Sequence, residues 1–351
     1  MTHKAWRSRA MILGAATALA GCASAQHATP PVIVGAHVAT DAAASSEIQV
    51  AAIVLDGSNA RLLATTSLGG IEVYGLDGRR QSTTQAGEAA GLAVTYGFDI
   101  AGAPATLVAT TDAENNTIRF FTYSAGALAE AGAPLQLDFA AENVCFYRHA
   151  SDGAHYMFIV GDGGEIDQQL IYANAEGRVA ARAVRRIGVP SPLKQCVADS
   201  ETGALYASEE SVGVWRFNAD PEADVGAVLV DSARFGRFDG EVGGIALYDG
   251  GDGARWLLAS VPEGGHVRVY DRANDDAFVG AFAIAARDGE IVAEPGPLFA
   301  LSGALSAELP AGALAIVDEA GPNIKLAGFA DVAAALNLNA GAPQDPRNAP
   351  T

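Results

Sequence analysis

The sequence predicts an all-β protein built as a six-bladed β-propeller, and three observations carry the prediction. Two short strand patterns alternate along most of the chain. The unit they form recurs about every 50 residues, a period that marks propellers and other repeat arrays. Glycine is abundant, with 40 of 351 residues, and 50% of the chain is hydrophobic while 18% is charged. Short buried strands joined by tight turns require that balance.

The first pattern is an apolar strand that ends in small or acidic residues. It appears as ARLLATTS (60–67), ATLVATTD (105–112), HYMFIVGD (155–162), GALYASEE (203–210), ARWLLASV (254–261) and GALAIVDE (312–319). The second reads IEVY, IRFF, QLIY, VWRF, VRVY and, more weakly, IKLA, ending at positions 74, 121, 172, 217, 270 and 327, which are 45 to 57 residues apart. A third strand precedes each pair, in EIQVAAIVLD, GLAVTYGFDI, AENVCFYRHA, LKQCVADS, EVGGIALYDG and PLFALSGAL. One such sheet cannot cover both of its faces. Six stacked in a ring cover one another and leave few open edges. A pair of β-sandwiches fits less well, because whole units recur rather than alternating strands. FADVAAALNL near the end reads as a short helix or a closing strand.

The flanks are read differently. Residues 1–22 carry Lys4, Arg7 and Arg9 and then the apolar run MILGAATALA, too short to span a bilayer and suited to an export signal. The run ends in Leu19-Ala20-Gly21-Cys22, which resembles the bacterial lipobox, so Cys22 is expected to be lipidated. The alternative is ordinary cleavage after ASA, with Cys22 lost. Ala23 follows the cysteine in place of an aspartate, which favours the outer membrane and its lipid as partner. Residues 23–46, rich in Ala, Pro, Thr and Ser, read as a flexible tether, 47–338 as the propeller and 339–351 as a disordered tail.

Charge excludes one class of partner. Without its first 22 residues the chain has 19 basic against 41 acidic groups, a net −22. Such a surface repels nucleic acid, and it repels a polyphosphate unless cations intervene. The six histidines show no metal spacing, and His149 and His155, flanking a turn, are expected at the surface. EGG (263–265) and DGGDG (249–253) read as hairpin turns. No Ser-His-Asp order, P-loop or dinucleotide fingerprint is visible. Cys145 and Cys196 lie in apolar strand patterns and are expected as buried free thiols, with pairing as the alternative.

CVADSETGALYASEESVGVWRF (196–217) resembles the β-propeller phytases, calcium-dependent phosphatases that act on inositol hexakisphosphate. GGIEVYGLDGR, VATTDAENNTI, VCFYRHASDGAHYMFI, GGIALYDGGDGARWLLAS and PNIK are similar to segments of that family in the same order, over about residues 47–335. The resemblance independently implies six blades. It also implies several calcium ions held by carboxylates at one end of the channel, metal-activated water, and lysines and an arginine that bind phosphate.

Most of the implied groups are replaced. Gln49-Val50-Ala51-Ala52 stands where adjacent aspartates are expected, Ser67-Leu68 replaces a lysine pair, and Asp112-Ala113 replaces asparagine-arginine. Asp162 stands for a lysine and Pro262 for a glutamine. Lys194-Gln195 replaces glutamate-glycine at a calcium position, and Glu241-Val242-Gly243-Gly244 keeps one carboxylate of two. The carboxylates that remain as candidate metal ligands are Asp199, Glu210, Glu241 and Asp318, with Glu209 beside Glu210. Lys325 remains as a candidate substrate-binding residue, next to Asn323. An ammonium at a ligand position repels Ca²⁺. Lys194 is therefore expected to pair with Glu210, whose other candidate partner is Arg216.

Two functions follow as expectations. The preferred one is a catalytically degenerate lipoprotein of the phytase family, a binding or accessory module at the cell envelope without a metal cofactor. Its partners would be an outer-membrane receptor or a catalytic phytase paralogue. The alternative is an active phosphatase that retains Ca²⁺ and hydrolyses inositol hexakisphosphate or another phosphomonoester.

Overall fold

Each repeat unit folds into one antiparallel sheet, and the six sheets form the blades of a closed propeller. The structure, a computed structural model, describes residues 31–348 apart from 45, 58, 287 and 322; the expected export signal and the expected lipidation residue Cys22 lie outside the described residues. Blade 1 comprises Ile48–Asp56, Asn59–Thr66, Gly70–Gly75 and Arg80–Thr84, and blade 2 Leu92–Ile100, Ala103–Asp112, Thr117–Ser124 and Ala127–Glu130. Blade 3 holds Ala141–Arg148, His155–Gly161, Glu165–Ala173 and Val179–Gly188. Blade 4 holds Leu193–Asp199, Ala204–Glu209, Gly213–Asn218 and Val228–Ser232. Blade 5 holds Ile245–Asp249, Arg255–Val261, His266–Asp271 and Ala277–Ala285. Blade 6 adds Pro295–Leu301, Ala313–Asp318 and Ile324–Gly328. The first strand of every blade touches the first strand of the next, and that of blade 6 touches that of blade 1. These six strands line the centre.

Adjacent apolar pairs in the second strands explain the packing. Side chains alternate across a sheet, so neighbours in sequence point to opposite faces. Leu62 enters the core between blades 6 and 1, and Leu63 the core between blades 1 and 2. Leu257 and Leu258 divide in the same way between the cores on either side of blade 5. Six such cores fill the spaces between blades, and each wholly buried aliphatic or aromatic side chain contributes about 1.5–3 kcal/mol.

The two ends of the chain correct the sequence reading. Within 23–46, expected as a tether, Val38–Ala39 is the fourth strand of blade 6, pairing with Leu326 and Lys325, and Val32–Gly35 runs parallel along Ala277–Ala285 of blade 5. Among the described residues blade 6 has no fourth strand downstream of Ile324–Gly328, so Val38–Ala39 covers its open edge, and the β-branched Val-Ile-Val run covers the outer edge of blade 5. The C-terminal stretch is likewise bound rather than frayed. After the helix Phe329–Leu336, Trp256 Nε1 donates to Asn339 O and Tyr248 Oη to Ala340 O, each at 2.8 Å. Arg347 Nη1 then donates to Gly57 O at 2.6 Å, so residues 339–347 strap blade 5 to blade 1.

Cys145 and Cys196 form a disulfide, which overturns the expectation of free thiols. They sit on the central strands of blades 3 and 4, which touch each other where these two consecutive blades stack.

Candidate functional site

All six central strands start at the same end of the ring, and the second strands of the blades end there. A cavity of about 420 Å³ opens at that end. Its wall takes Gln49 and Val50 from blade 1, Ala90 before blade 2, Glu142 and Asn143 from blade 3, and Lys194, Gln195 and Glu210 from blade 4. Glu241, Gly243, Gly244, Pro262 and Glu263 come from blade 5, and Glu294, Pro297 and Glu319 from blade 6.

The wall is held by its backbone. Gln195, 5% exposed, donates from Nε2 to Leu298 O at 2.8 Å, and its Oε1 accepts from Ile245 N at 3.0 Å. One amide thereby joins the central strands of blades 4, 5 and 6. Gly244 permits the approach: a Cβ there would meet Pro297 Cα at 2.4 Å. Ser260 Oγ accepts from Gly244 N at 2.7 Å and donates to Gly296 O at 2.8 Å. Under Lys194 and Glu142, the Cys145–Cys196 disulfide keeps the two strands together.

The charges are arranged around one ammonium. Lys194 Nζ lies 2.9 Å from Glu210 Oε1, so the expected pair is present, and Arg216 is instead bound to Asp275 and Asp276. Burial opposes charge on Lys194, but the hydrogen bond and charge of Glu210, with the charges of Glu142 and Glu319, outweigh it and raise the ammonium pKa. The Glu142 carboxyl is also raised, by burial first; the nearby ammonium of Lys194 only partly offsets this, while Asp162 and Glu210 add to it.

The predicted site residues divide into three groups. Glu210 and Glu241 line the cavity. Asp318 and Lys325 lie beside it and neutralise each other, with Lys325 Nζ 3.1 Å from Asp318 Oδ2 and donating to Asn323 Oδ1 at 2.6 Å. Lys325 is 7% exposed and so committed to its own blade. Asp199 is misplaced as a ligand. It ends the strand that Leu193 begins, which puts it at the far end of the ring, about 17 Å from Lys194 at about 3.3 Å per residue. There it pairs with the buried Arg272. Glu209 is also structural: fully buried, it accepts from Ser191 N at 3.0 Å and Trp215 Nε1 at 2.6 Å. His155 is buried, not at the surface; burial, and then the charge of Arg148, lower its pKa to about 4.

Sequence reasoning missed Glu142, Glu263, Glu294 and Glu319 as members of the wall. Each lies near the start of a central strand or just beyond the end of a second strand, the same repeat positions that carry Lys194 and Glu210. Aligning the six units on those positions would have found them.

Calcium was tested against this donor set. It takes six to eight oxygens at 2.3–2.6 Å. Among the described residues no three His, Cys, Asp or Glu side chains are grouped to hold a metal ion. The ammonium of Lys194 occupies the space between the carboxylates best placed to share one. The residues present do not fit calcium.

The family model described as Phytase matches residues 7–321. The 3-phytase of Bacillus subtilis is 26% identical over 238 residues, covering 66% of this chain and 62% of that protein, less than two thirds of its length. A crystal structure of a functionally unknown protein from Desulfotomaculum acetoxidans is 17% identical over 68% of this chain and 72% of that one, with a TM-score of 0.45, a likeness too slight to bear on function.

Proposed function

This chain belongs to the phytase family as a β-propeller member, and from that premise we propose that it is catalytically degenerate and serves as a binding or accessory module of the cell envelope. One observation carries the reading: the Lys194 ammonium rests on Glu210 inside a mouth lined by six glutamates. Hydrolysis of a phosphate ester by metal-activated water needs cations at the mouth, both to hold the metaphosphate-like charge and to lower the pKa of the water. Among the described residues the only lining cation is already paired, and the surrounding carboxylates oppose a polyanion.

The envelope location rests on Leu19-Ala20-Gly21-Cys22, through which lipidated Cys22 would anchor the chain to the outer membrane. The Cys145–Cys196 disulfide supports an oxidising compartment outside the cytoplasm. An outer-membrane receptor or a catalytic phytase paralogue remains the proposed partner.

The test is release of phosphate from inositol hexakisphosphate with calcium in excess, together with thermal unfolding over a calcium titration. No release and an unchanged midpoint are expected. Turnover, or a midpoint that climbs with calcium as bound metal stabilises the native state, would overturn the reading in favour of an active phosphatase.

A further inference from the structure

The mouth carries a charge that its own residues leave unbalanced. Six glutamates line the cavity against one ammonium, and that ammonium is already bound to Glu210. A second observation is independent of the carboxylates. Asn143 is 1% exposed and belongs to the same wall. Its Oδ1 accepts from Val144 N at 2.7 Å, while its Nδ2 donates to no described residue. That amide hydrogen has no described protein acceptor and is not closed off from solvent, so it is open to an oxygen that enters the cavity.

We propose that the mouth binds a flexible organic cation: an ammonium or guanidinium group on an alkyl chain, with an oxygen acceptor close to it. The proposal rests on the reading of the propeller as a non-catalytic binding module, and it names the ligand class of that module. The rim glutamates receive the cation. Asn143 Nδ2 donates to the oxygen. Lys194 repels positive charge on its own side and so directs the cation toward blades 5 and 6, whose Glu241, Glu263 and Glu294 have no ammonium beside them in the wall. A cavity of about 420 Å³ accommodates one extended chain of this kind and not a folded domain. The cation could arrive on a diffusible amine or on an arginine or lysine of a partner protein. The recognising chemistry is the same.

Calorimetry on the full chain at low salt tests this with two probes: argininamide, a small molecule with both the guanidinium and a carbonyl oxygen, and a Gly-Arg-Gly peptide blocked at both ends. The peptide is expected to bind, and to weaken as salt is raised. Binding of argininamide as tightly as the peptide assigns the site to a small amine, and binding of the peptide alone assigns it to a partner segment. Glu241 and Glu263 are exposed, so Glu241→Gln with Glu263→Gln keeps the fold; the pair should weaken binding about tenfold. Lys194→Met should tighten it by about threefold or more, a change in the opposite direction that a damaged wall would not produce. No binding of either probe, or binding indifferent to the paired glutamine variant, overturns the proposal. Phosphate release from inositol hexakisphosphate, measured on the same sample, separates the two ideas. Release overturns the non-catalytic reading, whereas absence of both release and binding overturns only the cation site.

Discussion

Cys145 and Cys196, 51 residues apart in sequence, bring their Cα atoms to 5.7 Å and bond the central strand of blade 3 to that of blade 4. A cross-link over a loop of that length removes chain entropy from the unfolded state, by about 4 kcal/mol on a loop-closure estimate. Replacing both cysteines by alanine, or reducing the protein, should lower the unfolding midpoint by several degrees. An unchanged melting curve under reducing conditions would show that the bond is not formed in solution.

Arg272 should be the most costly charge to remove. Its side chain is 2% exposed and joins Asp199 of blade 4 to Asp249 of blade 5, the latter at 2.6 Å. Arg272→Met leaves the Asp199 carboxylate buried without its counter-charge, at a cost of about 3–5 kcal/mol. Adding Asp199→Asn should restore part of that loss, and urea unfolding of the single and double variants measures it.

His155 makes stability fall in acid. Its folded pKa is about 4, below the ordinary 6.5, so the unfolded chain binds the proton more readily. The contribution is fully present above pH 6.5 and is lost as pH falls toward 4, amounting to about 3 kcal/mol. His155→Phe should flatten the stability profile across that window. An unchanged slope would assign the acid sensitivity to other groups.

Gly244→Ala probes the seam between blades 5 and 6. The added methyl would lie 2.4 Å from Pro297 Cα and 2.5 Å from Leu298 N, both backbone atoms that cannot swing away. Overpacking of this kind costs about 1–3 kcal/mol. Guanidinium unfolding should show that loss, while Gly253→Ala, with nothing within 4 Å of its added methyl, tests only the strain of its φ of +77°.

The repeat was legible because a propeller writes its architecture in local patterns. Adjacent apolar pairs such as Leu62-Leu63 declare a strand buried on both faces, and the recurrence near 50 residues declares the number of blades. The Lys194–Glu210 pair was legible too, because both residues hold corresponding ends of neighbouring strands within one blade. The short strands at Val32–Gly35 and Val38–Ala39 were not. Their partners lie in blades 5 and 6, roughly 250–290 residues away, and no local pattern reports an edge that distant.

Sequence by itself determined the all-β class, the six units and the family resemblance, and it carried the expectation that most of the implied ligands are replaced. Tertiary structure decided which charges share a space. It sent Asp199 to the far end of the ring, turned Asp318 and Lys325 toward each other, and drew Glu142, Glu263, Glu294 and Glu319 into the mouth. The physical reason is ring closure. The side of a strand that a residue faces follows from its period of two. The residues that meet across the channel follow only from how six sheets stack around a common centre.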